Sequence, residues 1–251
     1  MLLAEGVKVW GTARETSRLE PLLVRTGFTA VALDLEMPQE ADDAFAAASA
    51  EAGGTFDLVI NNAGYGVFAS FGSVNFAVWQ KQLEAMLVTT ARLTQAALRG
   101  MTARNRGCIV NVASLAVEFP LPFMSGYNIA KAGLAALSES LILETRGTGM
   151  KVIDFRPGDF RTGFNQVMQV QAAATANDPR LMRAWQGLEH NLNSAPPPSF
   201  AAAGLRKALL RQRSGTVRCG SFFQAHFAPF LVRFAPAPLR RVVLARYFGI
   251  R

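Results

Sequence analysis

Cysteine and histidine are scarce in this sequence, with two of each in 251 residues. Cys108 and Cys219 cannot build a disulfide framework or a four-cysteine zinc site, and so few histidines leave no expected structural metal. Neither cysteine demands an oxidising compartment. Charged residues make up only 18% and apolar residues 50%, which excludes a disordered chain and permits a large core. The 21 glycines follow no triplet period, so nothing fibrous fits. Long hydrophobic runs are also missing. The longest charge-free apolar stretch of the tail, Cys219–Val232, has 14 residues, against the ~20 a membrane span needs. Met1–Trp10 holds Glu5 and Lys8 and does not read as a secretory signal.

Acidic residues are absent from position 200 onward. All 18 lie before it, whereas residues 200–251 carry ten of the 26 basic ones. The first 199 residues sum to −2 and the tail to +10, which gives the formal charge of +8. A basic, apolar tail on a near-neutral body suits an anionic surface, either membrane or nucleic acid.

What is present alternates between two periods. Val7–Gly11, Phe28–Leu33, Phe56–Asn61, Gly107–Val112, Met150–Phe155 and Thr216–Cys219 read as strands. Thr16–Thr26, Pro38–Ala52, Asn75–Met101 and Ser125–Glu144 read as helices. Phe56–Asn61 and Gly107–Val112 are continuous apolar runs, expected where a strand is buried on both faces. The alternation predicts right-handed βαβ units, hence an α/β fold with a doubly wound parallel sheet. Residues 160–200 break the rhythm and read as a lid or flexible insertion. Residues 200–251 form a basic apolar extension with helical segments at Phe200–Arg211, Phe222–Phe234 and Pro238–Phe248.

Three features carry chemistry. Asn61-Asn62-Ala63-Gly64 follows a buried strand, where open α/β sheets bind ligands, and its small residues admit close approach to the backbone. Strand–Asn–Gly is equally a common turn. Tyr127 and Lys131, four apart, share a helix face. A phenol titrates near 10, and a neighbouring ammonium lowers that value toward a usable acid/base range. Ser114 stands two residues past Gly107–Val112, where a hydroxyl can polarise the same substrate oxygen or simply cap a turn.

In this order, Asn61–Gly64, Ser114, Tyr127 with Lys131, and Pro157-Gly158-Asp159-Phe160-Arg161-Thr162 resemble the classical short-chain dehydrogenase/reductase family. The resemblance is close over residues 1–165. It implies a single Rossmann-type domain over 1–251, a nicotinamide cofactor and hydride transfer between an alcohol and a carbonyl. It makes Tyr127 the acid/base, has Ser114 orient the substrate oxygen, and has Lys131 bind ribose and tune Tyr127. Pro157, Gly158, Phe160 and Thr162 would hold the nicotinamide end. Asn62, Ala63 and Gly64 would border the adenosine ribose, and Asp34-Leu35 the adenine. Ala13 occupies the position where NAD enzymes place an acid, and Arg14 follows it, so NADP is favoured over NAD. The family is commonly dimeric or tetrameric through its two long helices, which implies a homo-oligomer.

Two departures accompany the resemblance. No Gly-x-x-x-Gly-x-Gly turn precedes Val7, nor does a strand, so the sequence reads as N-terminally truncated relative to the family. Met86, in Glu84–Thr89, takes the place of the family's usual helix asparagine, and a thioether is only a weak acceptor. Val217–Gln224 and Arg246–Gly249 resemble family members acting on apolar alcohols, such as hydroxysteroid and retinol dehydrogenases. The expectation is an NADP(H)-dependent oxidoreductase for a lipophilic small molecule, of steroid, retinoid or fatty type. It would be cytoplasmic, with peripheral membrane contact through residues 222–250 and no nucleic-acid partner. The alternative is a catalytically impaired member that binds a lipid or a protein through its tail.

Overall fold

The computed structural model describes residues 1–164, 168–170 and 178–250. Its regular strands are β1 (Val9–Ala13), β2 (Phe28–Ala32), β3 (Leu58–Asn61), β4 (Gly107–Val112), β5 (Met150–Pro157) and β6 (Gly215–Cys219). All the pairings they make are parallel. β1 pairs with β2, and β3-β4-β5-β6 form a four-stranded sheet in that order. Among the described residues no hydrogen-bonded strand joins β1 to β3. β3 is consequently half-buried along its length, where a strand buried on both faces was expected.

Helices lie on both faces of the sheet. α1 (Pro38–Glu51), α2 (Phe76–Leu83), α3 (Thr90–Arg104) and α4 (Ser125–Glu144) precede β5. α5 (Pro179–Ser194), α6 (Pro198–Leu210), α7 (Ala228–Phe234) and α8 (Ala237–Tyr247) follow it. Strand side chains alternate between faces, so Ile109 packs with Ala97, Met101 and Met150 on the α3 side. Val110, Val112, Ile153 and Phe155 pack with Ala208 of α6 on the other. This is the doubly wound parallel arrangement that the alternation of periods predicts.

Several boundaries differ from expectation. The first strand runs Val9–Ala13, two residues later than Val7–Gly11. Thr16–Thr26 is no single helix: a 3-10 turn at Thr16–Leu19 leads into one α-turn at Glu20–Leu23, with Pro21 at its start. The long helix after Asn75 is interrupted by wide turns at Glu84–Thr89, around Met86. The segment 160–200 contains a four-turn helix, α5. Asp178 caps it by accepting from the Arg180 N–H, and Leu181, Ala184, Leu188 and Leu192 are buried on one side. Phe68, Met124, Met168 and Phe248 complete that cluster, which covers the carboxyl ends of the strands. Residues 165–167 and 171–177 of the expected lid lie outside the described residues.

Candidate active site

The sheet's carboxyl end is built on a buried polar chain. Asn61, closing β3, donates to Thr94 at 2.9 Å and to Asn111 of β4 at 2.8 Å. Asn111 donates to Ser138 of α4 at 2.9 Å. Each of these buried groups thus has its partner, which fixes the register of strand against helix. One residue beyond, Lys131 Nζ donates to the Val112 carbonyl at 2.6 Å. The strand end, Ser114 and the α4 face carrying Tyr127 and Lys131 are therefore held together.

A cavity of about 1310 Å³ opens there, larger than the ~300–1,000 Å³ of a drug-sized pocket. Ser114, Tyr127, Lys131, Asn62, Gly64, Pro157, Gly158, Phe160 and Thr162 all line it. Ser114 is buried and its Oγ accepts from the Ala116 N–H at 3.1 Å. Lys131 Nζ lies 5.8 Å from the centre of the Tyr127 ring. The electrostatics run against the simplest expectation from the four-residue spacing. Burial pushes the Tyr127 phenol up, a hydrogen bond from Ser114 pulls it back, and the Asp159 charge raises it further. Burial brings the Lys131 ammonium down to about 8.

Arg14, Asp34 and Leu35 stand outside that cavity, at the ends of β1 and β2, and Ala63 does not line it either. Arg14 is exposed and sits 3.8 Å from Glu36, a partner the sequence reading missed. Asp34 accepts from the Glu36 N–H at 2.9 Å. Tyr65 adjoins the same group; burial, and then Glu36, push its phenol up to about 12. Met86 is buried beside Gly64: a Cβ on that glycine would meet the Met86 methyl at 3.1 Å and Lys131 Nζ at 3.7 Å.

Other residues in and around the cavity make contacts that no sequence motif specified. Asp159 accepts from Gln224 Nε2 at 2.7 Å, and burial raises its carboxyl. Asn191 donates to the Tyr247 hydroxyl at 2.9 Å. Glu118 accepts from Arg156 at 3.0 Å and from Arg218 at 2.7 Å. Arg156 also donates to Asp154, which is fully buried. The rest of the wall is mainly aliphatic and aromatic, so the cavity suits an apolar ligand with a few polar anchors.

The small, backbone-rich edge at Asn62, Gly64 and Pro157–Gly158, next to a lysine and a phenol, fits the nicotinamide and ribose portion of a dinucleotide. A family profile described as short chain dehydrogenase matches residues 1–172. The chain belongs to the short-chain dehydrogenase family. It is 36% identical over 116 residues to dehydrogenase/reductase SDR family member 4 of Bos taurus, covering 46% of this chain and 42% of that protein. It is 28% identical over 249 residues to the short-chain dehydrogenase ptmH of Penicillium ochrochloron, covering 98% and 90%. A solved short-chain dehydrogenase from Streptomyces avermitilis superposes with a TM-score of 0.79 at 26% identity, covering 99% of this chain and 89% of that one. The chain spans about half the length of several curated relatives it matches. Family membership brings the Rossmann-type fold to this chain.

Proposed function

We propose that the protein interconverts an alcohol and a carbonyl on a lipophilic small molecule, using NADP(H). The observation that carries this reading is the convergence of Ser114, Tyr127 and Lys131 on one largely apolar cavity. The nicotinamide, when bound, supplies or accepts the hydride. Tyr127 gives a proton to the carbonyl oxygen during reduction and takes it back during oxidation. Ser114 donates to the same oxygen and holds it on the phenol. Lys131, tied to Val112, would bind the ribose and adds positive charge beside Tyr127. Pro157, Gly158, Phe160 and Thr162 would hold the nicotinamide end, and Asn62, Ala63 and Gly64 would border the adenosine ribose. Asp34 and Leu35 would hold the adenine, and Arg14, now 3.8 Å from Glu36, would take the 2′-phosphate.

The reading extends to the whole particle. Exposed Phe76, Val88, Ile129 and Leu143 on α2 to α4 support a homo-oligomer through these helices. No helix among the described residues is long and apolar enough to cross a membrane. A cytoplasmic protein with peripheral contact through residues 222–250 fits the exposed tail. The domain reading is one Rossmann-type unit, with a lid or insertion within 160–200, of which Thr162, Phe164, Leu188 and Leu192 line the cavity, and a basic apolar extension from residue 200. The second reading, a catalytically impaired lipid- or protein-binding member, draws on Met86, which with Lys131 adjoins Gly64.

Assays of NADPH oxidation and NADP reduction over a panel of apolar ketones and secondary alcohols decide between the two. Turnover that requires dinucleotide and rises with substrate chain length supports the enzyme. Binding of the same compounds without turnover selects the second reading.

A further inference from the structure

We propose that residues 222–250 dock the protein on an anionic lipid bilayer, with a phenylalanine stripe entering the interface and neighbouring arginines meeting the headgroups. Phe223, Phe227, Phe230 and Phe234 recur at offsets of four, seven and eleven, which places them along one side of a helix. Their rings pair with one another, Phe223 with Phe227 at 5.8 Å and Phe230 with Phe234 at 5.3 Å. They do not pack into the body: Phe230 is 63% exposed, Phe234 71%, and Phe222 beside them 77%. α8 adds exposed Leu239, Val242 and Val243. Side chains of this size are ordinarily buried, and a contiguous exposed group of them marks a binding surface.

Charge selects the partner. Arg240, Arg241 and Arg246 are exposed, and no acidic residue lies anywhere in 200–251 to neutralise them. Phenylalanine in the acyl boundary with arginine at the headgroups is the composition of an interfacial helix. α7 and α8 have 7 and 11 residues, too short to span but able to lie in the plane. A second copy laid isologously on the same face would bring two arginine clusters together, which is unfavourable.

The same segment lines the cavity through Phe223, Leu231, Leu239, Val243 and Tyr247, all of which are also exposed. Docking thus sets the cavity beside lipid, where an apolar substrate can reach it without crossing water. That consequence rests on the substrate class proposed above; docking itself does not.

The test is flotation of the full chain with vesicles of phosphatidylcholine alone or mixed with phosphatidylglycerol, without cofactor or substrate. The expected result is at least tenfold stronger binding to the anionic vesicles, weakened by salt and reduced at least tenfold by the double variant Phe230→Asp/Phe234→Asp. Circular dichroism checks its folding, and Arg241→Glu/Arg246→Glu reads the electrostatic half separately and is expected to abolish the preference for anionic vesicles. No binding, or equal binding to both lipids, overturns the proposal. So does a light-scattering mass showing a dimer that the phenylalanine variant splits, with no vesicle uptake by the wild type. A chain that floats yet turns over nothing leaves docking standing and removes the enzymatic reading.

Discussion

Lys131 Nζ donates a 2.6 Å hydrogen bond to the carbonyl oxygen of Val112, joining the helix that carries Tyr127 to the strand that leads into Ser114. The lysine is 5% exposed, and burial lowers it to about 8. An unfolded lysine titrates near 10.4. Between those values the unfolded chain holds a proton that the folded chain has lost, so this group makes stability rise with pH. The rise is roughly 3 kcal/mol between about pH 8 and about pH 10.4. Lys131→Met should flatten that part of the profile, measured as the wild-type-minus-variant difference in urea unfolding. A difference that stays constant with pH would show that Lys131 keeps an ordinary value.

Arg14 and Glu36, 3.8 Å apart, set the expectation for cofactor preference. If Arg14 binds the 2′-phosphate, Arg14→Ala should narrow the NADPH-over-NADH preference by roughly tenfold or more, the worth of one charge-assisted contact. Glu36→Gln should act the other way and tighten NADPH. Calorimetric titration of both nucleotides checks each direction. Equal affinities in the wild type would remove Arg14 from this role.

Asp159 raises the Tyr127 phenol through its charge. Asp159→Asn should therefore move the phenol downward, and the alkaline limb of kcat/KM with it, toward lower pH. The same substitution keeps a hydrogen-bonding partner for Gln224, so the shift isolates charge from packing. A pH–rate profile with an unmoved limb would place Asp159 too far from the proton transfer to matter.

Arg156 is 11% exposed and pairs with Asp154, Glu118 and Glu139. Removing one partner from such a group leaves buried charge uncompensated, which costs about 3–5 kcal/mol. Arg156→Met should lower the thermal midpoint by about 10 °C, read by differential scanning calorimetry. A loss of a degree or two would mean that water reaches these carboxylates.

Legibility in the sequence followed local signal. Gly107–Val112 and Ser125–Glu144 match the structure residue for residue, because a continuous apolar run and a long 3.6-residue period specify them without help from neighbours. The placement of Ser114, Tyr127 and Lys131 around one cavity follows from the same elements, since each sits at a fixed offset from one of them; the roles given to them come from the family resemblance alone. The helix Pro179–Ser194 was hidden by its asparagines and glutamine, although the spacing of Leu181, Ala184, Leu188 and Leu192 could have shown it. Half-burial of Leu58–Asn61 depends on what pairs with its edge, which no property of those four residues encodes. Asp159 and Gln224 are 65 residues apart, and Arg14 and Glu36 meet only because β1 and β2 pair in parallel.

The reaction itself is tested most directly at Tyr127, through the rate of nicotinamide absorbance change in a single turnover with saturating NADPH and an apolar ketone. Tyr127→Phe keeps the ring that packs edge-on against Phe164 and removes only the hydroxyl. The expected result is at least a ~100-fold slower transfer, in line with the loss of a positioned proton donor, with NADPH affinity unchanged within twofold, roughly 0.4 kcal/mol. Transfer at the wild-type rate in that variant would contradict the assignment of the acid/base to Tyr127 and the catalytic account built on it.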